Sequence, residues 1–243
     1  MSEQRLVVLL SGGIESIVTA AIAAQTRATR HALYVDYGHL ARVPEKSAAR
    51  AISREYGLNL EVVELTLPFL ETHDMFAEGA VIIANEELPE AERIDQAKAN
   101  RAHAIPHRNL VFVGLATMLA ETVGATEVWA GFDDNPASPT RTKDKSPEFA
   151  ELLGSAIRAG SDASFPNIPR IITPLQGNSK TDTIQLGQSL GVKWSLSRSC
   201  YNGFTLPCGV CAQCRTRRAA FAKLGVDEGV AYCSREFIDA QVS

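Results

Sequence analysis

A chain of 243 residues with 45% apolar content can bury one sizeable core. Its 24 Lys and Arg stand against 28 Asp and Glu, and a net charge of −4 argues against a general nucleic-acid binder, which would be basic. No apolar run has the length of a membrane span and no signal peptide opens the sequence. A cytoplasmic protein with no membrane partner is therefore expected, as one domain over residues 1–243.

Residues 6–10, five apolar positions in a row, predict a short buried strand. Ser11, Gly12 and Gly13 turn the chain, and the periodic apolar run that follows predicts a helix from about residue 15 to 24. A strand over 31–36, a helix over 43–56 and a strand over 60–65 come next. Residues 68–106 are polar and acidic, with short helical pieces such as 88–102. That length exceeds an ordinary connection and marks either a substrate lid or a solvated insertion. A helix is expected over 109–122, a strand over 127–130 and a helix over 147–159. A short extended piece at 170–173 and a helix over 181–190, ended by Gly191, complete the pattern.

Strands alternating with helices imply parallel pairing and right-handed crossovers, hence an α/β, doubly wound parallel sheet. Such a sheet binds its ligand beyond the carboxyl ends of the strands. Segments 11–16, 36–39 and 131–135 each follow a strand and should line that edge. Within the first of them, a glycine pair lets backbone approach a phosphate, and the free N–H groups of a helix start point at it. Hydroxyls at Ser11 and Ser16 add donors. Leu10, Ser11, Gly12, Gly13, Glu15 and Ser16 are the expected anion-binding set.

Cys200, Cys208, Cys211 and Cys214 fall within 15 positions, and two CxxC steps share Cys211. Four thiolates at that spacing suit a closed tetrahedral Zn²⁺ site of structural type. An iron–sulfur cluster also takes four cysteines, but the ferredoxin-type run continues to a cysteine followed by proline, and this one does not. Cys233 stands apart and reads as a plain apolar residue.

SGGIES at residues 11–16 resembles the SGGxDS pyrophosphate loop of the N-type ATP pyrophosphatases, with Glu15 where that family has Asp. SCYNGFTLPCGVCAQC at 199–214 then makes the chain similar to the QueC, or 7-cyano-7-deazaguanine synthase, family. VDYGH at 35–39 resembles the family's DYGQ stretch, and IPHRN at 105–109 its PxRN stretch. ITPL at 172–175, with Ser179 and Lys180, resembles its PL…K stretch.

The resemblance implies an adenine nucleotide alpha hydrolase-like (HUP) fold with a zinc segment over 195–233. It also implies an ATP-dependent, AMP-forming ligase of queuosine biosynthesis. Its substrates would be 7-carboxy-7-deazaguanine and ammonia, with Zn²⁺ and ATP with Mg²⁺ as cofactors. Lys180, Arg108 and Ser16 are the catalytic candidates. Asp36, Tyr37 and Gly131 join the loop residues in holding the nucleotide. His39 and His107 read as ordinary loop histidines rather than bases, and a homodimer is expected.

One interval departs from the family. A stretch ending in SGYPDCR is replaced by GFDDNPASPTRTKDKSPEF at 131–149, made polar by Asp133, Asp134, Arg141 and Lys143. The spacing of Pro136, Pro139 and Pro147 suggests a partly stiffened excursion. The alternative is therefore a QueC-like paralogue that passes the activated acid to another amine, on a protein or peptide, and stops at an amide. A binding-only member is a third reading. A tRNA-modifying relative is disfavoured by the acidic charge.

Overall fold

The computed structural model describes residues 4–95, 98, 103–134, 142–162, 164 and 167–242. Strands β1 (Arg5–Leu9), β2 (Thr29–Asp36), β3 (Asn59–Glu64), β4 (Glu127–Trp129) and β5 (Arg170–Ile172) form one parallel sheet in the order β3-β2-β1-β4-β5. Val7 lies opposite His31 on one side and Val128 on the other, so β1 is central. The chain moves outward from β1 through β2 to β3, then returns to the far side of β1. The sheet's switch point thus falls between β1 and β4, as the alternating pattern predicts.

The pleat divides the first strand between two cores. Leu6, Val8 and Leu10 face one layer of helices: α1 (Ile14–Ala24), α2 (Arg42–Tyr56), α5 (Lys180–Ser189) and α6 (Ala212–Leu224). Val7 faces the other layer, built on α3 (Arg108–Val123). Beside it, α4 (Pro147–Gly160) packs Leu153 with Val113, Ala130 and Phe132. The short α7 (Arg235–Val242) closes the chain, burying Ile238. Among the described residues, no helix is long and apolar enough to cross a membrane.

Local chemistry sets the helix ends. Ser146 accepts a bond from the Phe149 amide ahead of Pro147, starting α4. A reciprocal capping box between Ser179 and Asp182 starts α5 at Lys180. Gly191, with φ of 69°, follows that helix as expected. Helix α1, by contrast, has Gly13 at its N-cap and no side-chain cap, which leaves its first amides free for another acceptor.

The described part of 68–106 is packed against the body within 75–84 and half-buried or exposed over 85–91 and 93–95, and Lys98 is helical. Pro68–Leu70, Asn85–Glu87 and Glu90–Glu92 are single 3₁₀ turns. The helical piece expected over 88–102 is irregular at 93–95, and residues 96, 97 and 99–102 lie outside the described set. Met75 and Ile82 bury into a third core with the four clustered cysteines. Asn202 fastens Ile82 by accepting from its amide at 2.7 Å and donating to its carbonyl at 2.9 Å. The Ala84 amide donates to the Val210 carbonyl. Helices α6 and α7 lie beyond the elements expected from the sequence.

Packing leaves little slack where α5 crosses the central helices. A Cβ on Gly187 would overlap the Trp194 ring and lie 3.0 Å from Val18 Cγ2. Trp194 is itself buried and fixed by an indole bond to Gln188. Gly187→Ala should therefore destabilise the protein by about 1–3 kcal/mol, the usual cost of overpacking. Chemical denaturation followed by tryptophan fluorescence measures it, and an unchanged midpoint would contradict this packing.

Candidate nucleotide site and four-cysteine cluster

Three connections meet at the carboxyl ends of the strands: 11–16 after β1, 36–39 after β2 and 131–134 after β4. Gly12 takes a φ of 85°, and a Cβ there would lie 3.0 Å from Ala48 Cβ and 3.1 Å from the Glu45 carbonyl. Glycine is required for both reasons. A Cβ on Gly131 would lie 3.1 Å from the Glu15 backbone, so these two loops touch. Ser11 Oγ accepts from the Gly13 amide and lies 3.4 Å from Ser16 Oγ. The Ser16 hydroxyl donates to the Gly13 carbonyl. Leu10 sends its side chain into the core, so only its backbone is available to a ligand.

Lys180 opens α5 and reaches across to the loop, where its ammonium contacts the Glu15 carboxylate and lies 3.6 Å from Asp133 Oδ2. Burial, with the Arg217 guanidinium adding to it, lowers the Lys180 ammonium to about 8. Asp133 Oδ1 also accepts from Lys145 at 2.7 Å. Asp144, beside Lys145, accepts from Asn109 at 2.8 Å. The departing loop is thus tied to both Lys180 and the IPHRN segment. Arg141, Pro136 and Pro139 lie outside the described residues.

Arg108, the first residue of α3, donates to the Tyr37 hydroxyl across 3.3 Å. Tyr37 is buried against Phe76, Phe112 and the His39 ring, which stacks on it at 4.1 Å. Burial pushes the Tyr37 hydroxyl up to about 12, against the opposing pull of Arg108. Tyr201, from the cysteine segment, is also raised by burial and accepts from Gln213. Asp36 loses solvent, but Lys46 at 2.6 Å and the Gly38 amide outweigh that and hold its carboxyl low.

The two histidines differ in setting. His39 is buried and bonded to Glu45 at 2.8 Å, a wall residue. His107 is exposed at the N-cap of α3 with φ of 55°, the single non-glycine residue with positive φ among those described.

The sulfurs of Cys200, Cys208, Cys211 and Cys214 all lie within 4.8 Å of one another and all four residues are buried. A tetrahedron of thiolates around an ion at about 2.3 Å has edges of about 3.8 Å. Cys208 and Cys214 stand 3.9 Å apart. Backbone amides of Asn202 and Cys208 point at the Cys200 sulfur, and that of Cys211 at the Cys208 sulfur. Those amides favour thiolate over thiol, so the donor set fits a metal ion. Cys233 packs at the edge of the cluster, bonded through its sulfur to the Leu206 carbonyl.

Arg198 joins the cluster to the loop, and no sequence signal marked it. Its backbone amide donates to the Gly12 carbonyl at 2.7 Å. Its buried guanidinium donates to the carbonyls of Asn202, Phe204 and Thr205.

A parallel sheet of this order, with a glycine loop after its central strand, defines a doubly wound α/β protein carrying a C-terminal four-cysteine segment. A family model described as "Queuosine biosynthesis protein QueC" matches residues 5–225. The 7-cyano-7-deazaguanine synthase of Desulforudis audaxviator is 34% identical over 225 residues, covering 90% of this chain and 97% of that one. That of Pelotomaculum thermopropionicum is 36% identical over 223 residues, covering 89% and 96%. The chain belongs to the QueC family and is an enzyme of it. The structure of a predicted subunit of tRNA methyltransferase from Methanocaldococcus jannaschii covers 96% of this chain and 94% of its own. At a TM-score of 0.45 and 14% identity it carries no argument.

Arg198→Met would leave three convergent carbonyls without their donor, of which only that of Asn202 sits in a fully buried bond. One unsatisfied buried group costs about 1–3 kcal/mol, and the variant should lose about that much. Calorimetric melting of the variant checks this, and a stability equal to wild type would show that the clamp is dispensable.

Proposed function

We propose that the chain is an ATP-dependent, AMP-forming carbon–nitrogen ligase acting on 7-carboxy-7-deazaguanine. The observation that carries this reading is the meeting of loop 11–16 with Lys180 at the ligand edge of the sheet, in a chain of the QueC family. In this reading the free amides of α1 and the hydroxyls of Ser11 and Ser16 hold the pyrophosphate of ATP. Gly12 and Gly13 allow the close approach, and Gly131 keeps the neighbouring loop clear. Asp36 and Tyr37 border the adenosine.

An oxygen of the substrate carboxylate attacks the α-phosphorus and pyrophosphate departs. Lys180 neutralises charge growing on the leaving group, and Arg108 faces the carboxylate from the α3 side. Ammonia then attacks the acyl carbon, AMP leaves and an amide remains. Adenylation of the amide oxygen, followed by loss of AMP and a proton, gives the nitrile. When bound with ATP, Mg²⁺ supplies further charge neutralisation at the phosphates, and Glu15 is the carboxylate placed to hold it. The four cysteines hold Zn²⁺ as a structural ion, closed to substrate. The whole chain acts as one ATP-pyrophosphatase domain.

A second reading, amide conjugation to a larger amine on a protein or peptide, is favoured by one observation. Asp133 and Asp144, both from the interval that departs from the family pattern, pair with Lys180 and bond Asn109, respectively, at the ligand edge. Incubation with ATP and 7-carboxy-7-deazaguanine, using ammonium, amino acids or peptides as acceptor, separates the readings by mass spectrometry. Nitrile as end product supports the first and a peptide adduct the second. No acid-dependent AMP with any acceptor would discard both.

Purified protein should hold about one zinc per chain by the four-ligand rule, measured by elemental analysis, and Cys208→Ser with Cys211→Ser should abolish it. An iron-rich sample would refute the assignment. Lys180→Ala should slow AMP formation on the order of 10²-fold or more, and release of ADP and phosphate by the wild type would exclude this chemistry. Glu15→Asp should keep or raise the rate, since the carboxylate is retained. A collapse of activity would show that the longer side chain is needed.

A further inference from the structure

We infer that Lys145, supplied by the loop that departs from the family, is a positioning residue for ATP: it holds Asp133, and so leaves Lys180 to the nucleotide. This rests on the ATP reading above and deepens it. Lys180 faces two carboxylates at once, Glu15 and Asp133. Asp133 lies 13% exposed at the edge where a polyphosphate would enter. Its Oδ1 accepts from Lys145 Nζ at 2.7 Å, while Oδ2 stands 3.6 Å from Lys180 Nζ. Of the two lysines, Lys145 is therefore the closer partner of Asp133.

Lys145 is held for this task from several directions. Its carbonyl accepts from the Gln176 side chain, and its neighbour Asp144 is bound by Asn109. The next residue, Ser146, caps α4. These bonds fix the backbone that carries Lys145, so that only the side chain itself must be ordered to make the pair. The count of charges then matters. Glu15 and Asp133 face Lys180 and Lys145, two carboxylates against two ammoniums. Remove the Lys145 charge and one ammonium must serve two carboxylates. Among these four groups the balance turns negative, and Asp133, without its closer partner, competes with the phosphates for Lys180.

The test uses the full chain and titrates ATP by calorimetry into wild type, Lys145→Met, Lys145→Arg and the double variant Asp133→Asn with Lys145→Met. Lys145→Met should weaken ATP binding about tenfold, the low end for loss of a half-buried charge partner. Lys145→Arg should restore most of it. The double variant should also regain affinity, because the carboxylate that captures Lys180 is gone. A scaffolding role for Lys145 would not be rescued by Asp133→Asn, so a double variant no better than Lys145→Met overturns the inference. Wild-type affinity in Lys145→Met overturns it as well. In acid-dependent AMP release, the KM for ATP should rise while that for the purine acid stays. A change confined to the purine acid would place Lys145 on that substrate instead. Should Lys145→Met fail to fold, Lys145→Gln serves the same comparison. Wild type that binds no ATP removes the ATP reading itself, whereas variant-independent ATP binding removes the inference alone.

Discussion

One residue, Arg198, fastens the nucleotide loop to the cysteine segment, and much of the architecture depends on that link. Its amide holds the Gly12 carbonyl and its guanidinium gathers three carbonyls of the turn between Cys200 and Cys208. A tight turn that brings sulfurs together also crowds its carbonyl oxygens. Those oxygens repel one another unless a cation or a set of donors faces them. Arg217 repeats the device one turn into α6, donating to the carbonyls of Trp194 and Ser197 and to Glu228. Two buried guanidinium groups thus hold the cysteine segment against the sheet's helical layer.

The long segment after β3 joins the same body. Met75 and Ile82 share a core with the cysteines, and Asn202 binds the backbone of Ile82 on both sides. Asn202 also donates its amide to the Cys200 sulfur. A single asparagine therefore connects sulfur, insertion and turn. Where a metal ion orders four thiolates, its binding free energy is folding free energy. Here that energy reaches beyond the cysteines to the insertion and, through Arg198, to the loop at β1. Under the proposed reading, a metal in the four-cysteine site would act on the nucleotide loop without touching the nucleotide.

Sequence periodicity revealed the sheet and most of its helices, because β1 and the middle of β2 are apolar runs and α2 and α3 carry regular spacing. The glycine loop and the cysteine set were legible for a different reason: their chemistry demands particular residues at short spacing. Helix α6 escaped notice because its Cys214 and Arg217 read as ligand and charge, although both are buried on its inner face. The pairing of Tyr37 with Arg108 spans 71 positions, and no local pattern encodes it. Arg198 was hidden similarly, since its partners are carbonyls, which every residue has. The segment after β3 read equally as a lid or a solvated insertion because its apolar residues are few, but Met75 and Ile82 pack against the cysteine turn.

The departures from the family pattern are contiguous in space, and this bears on how they arose together. Glu15 stands in place of the family's Asp, and the loop 131–149 brings Asp133 and Lys145. Glu15 and Asp133 meet at Lys180, and Lys145 joins them through Asp133. The Glu15 carboxylate contacts that ammonium, while its backbone lies against Gly131. Asp133 adds a second negative group at the same place, and Lys145 balances it. Had the chain lost its use for a nucleotide, an unbalanced carboxylate at this edge would cost it only modest stability. Instead each charge has an opposite within contact distance, around one lysine at the helix start facing the glycine loop. Under the proposed ATP reading, that balance suits an edge that receives a polyanion, with Asp133 and Lys145 beside the phosphates rather than in their place.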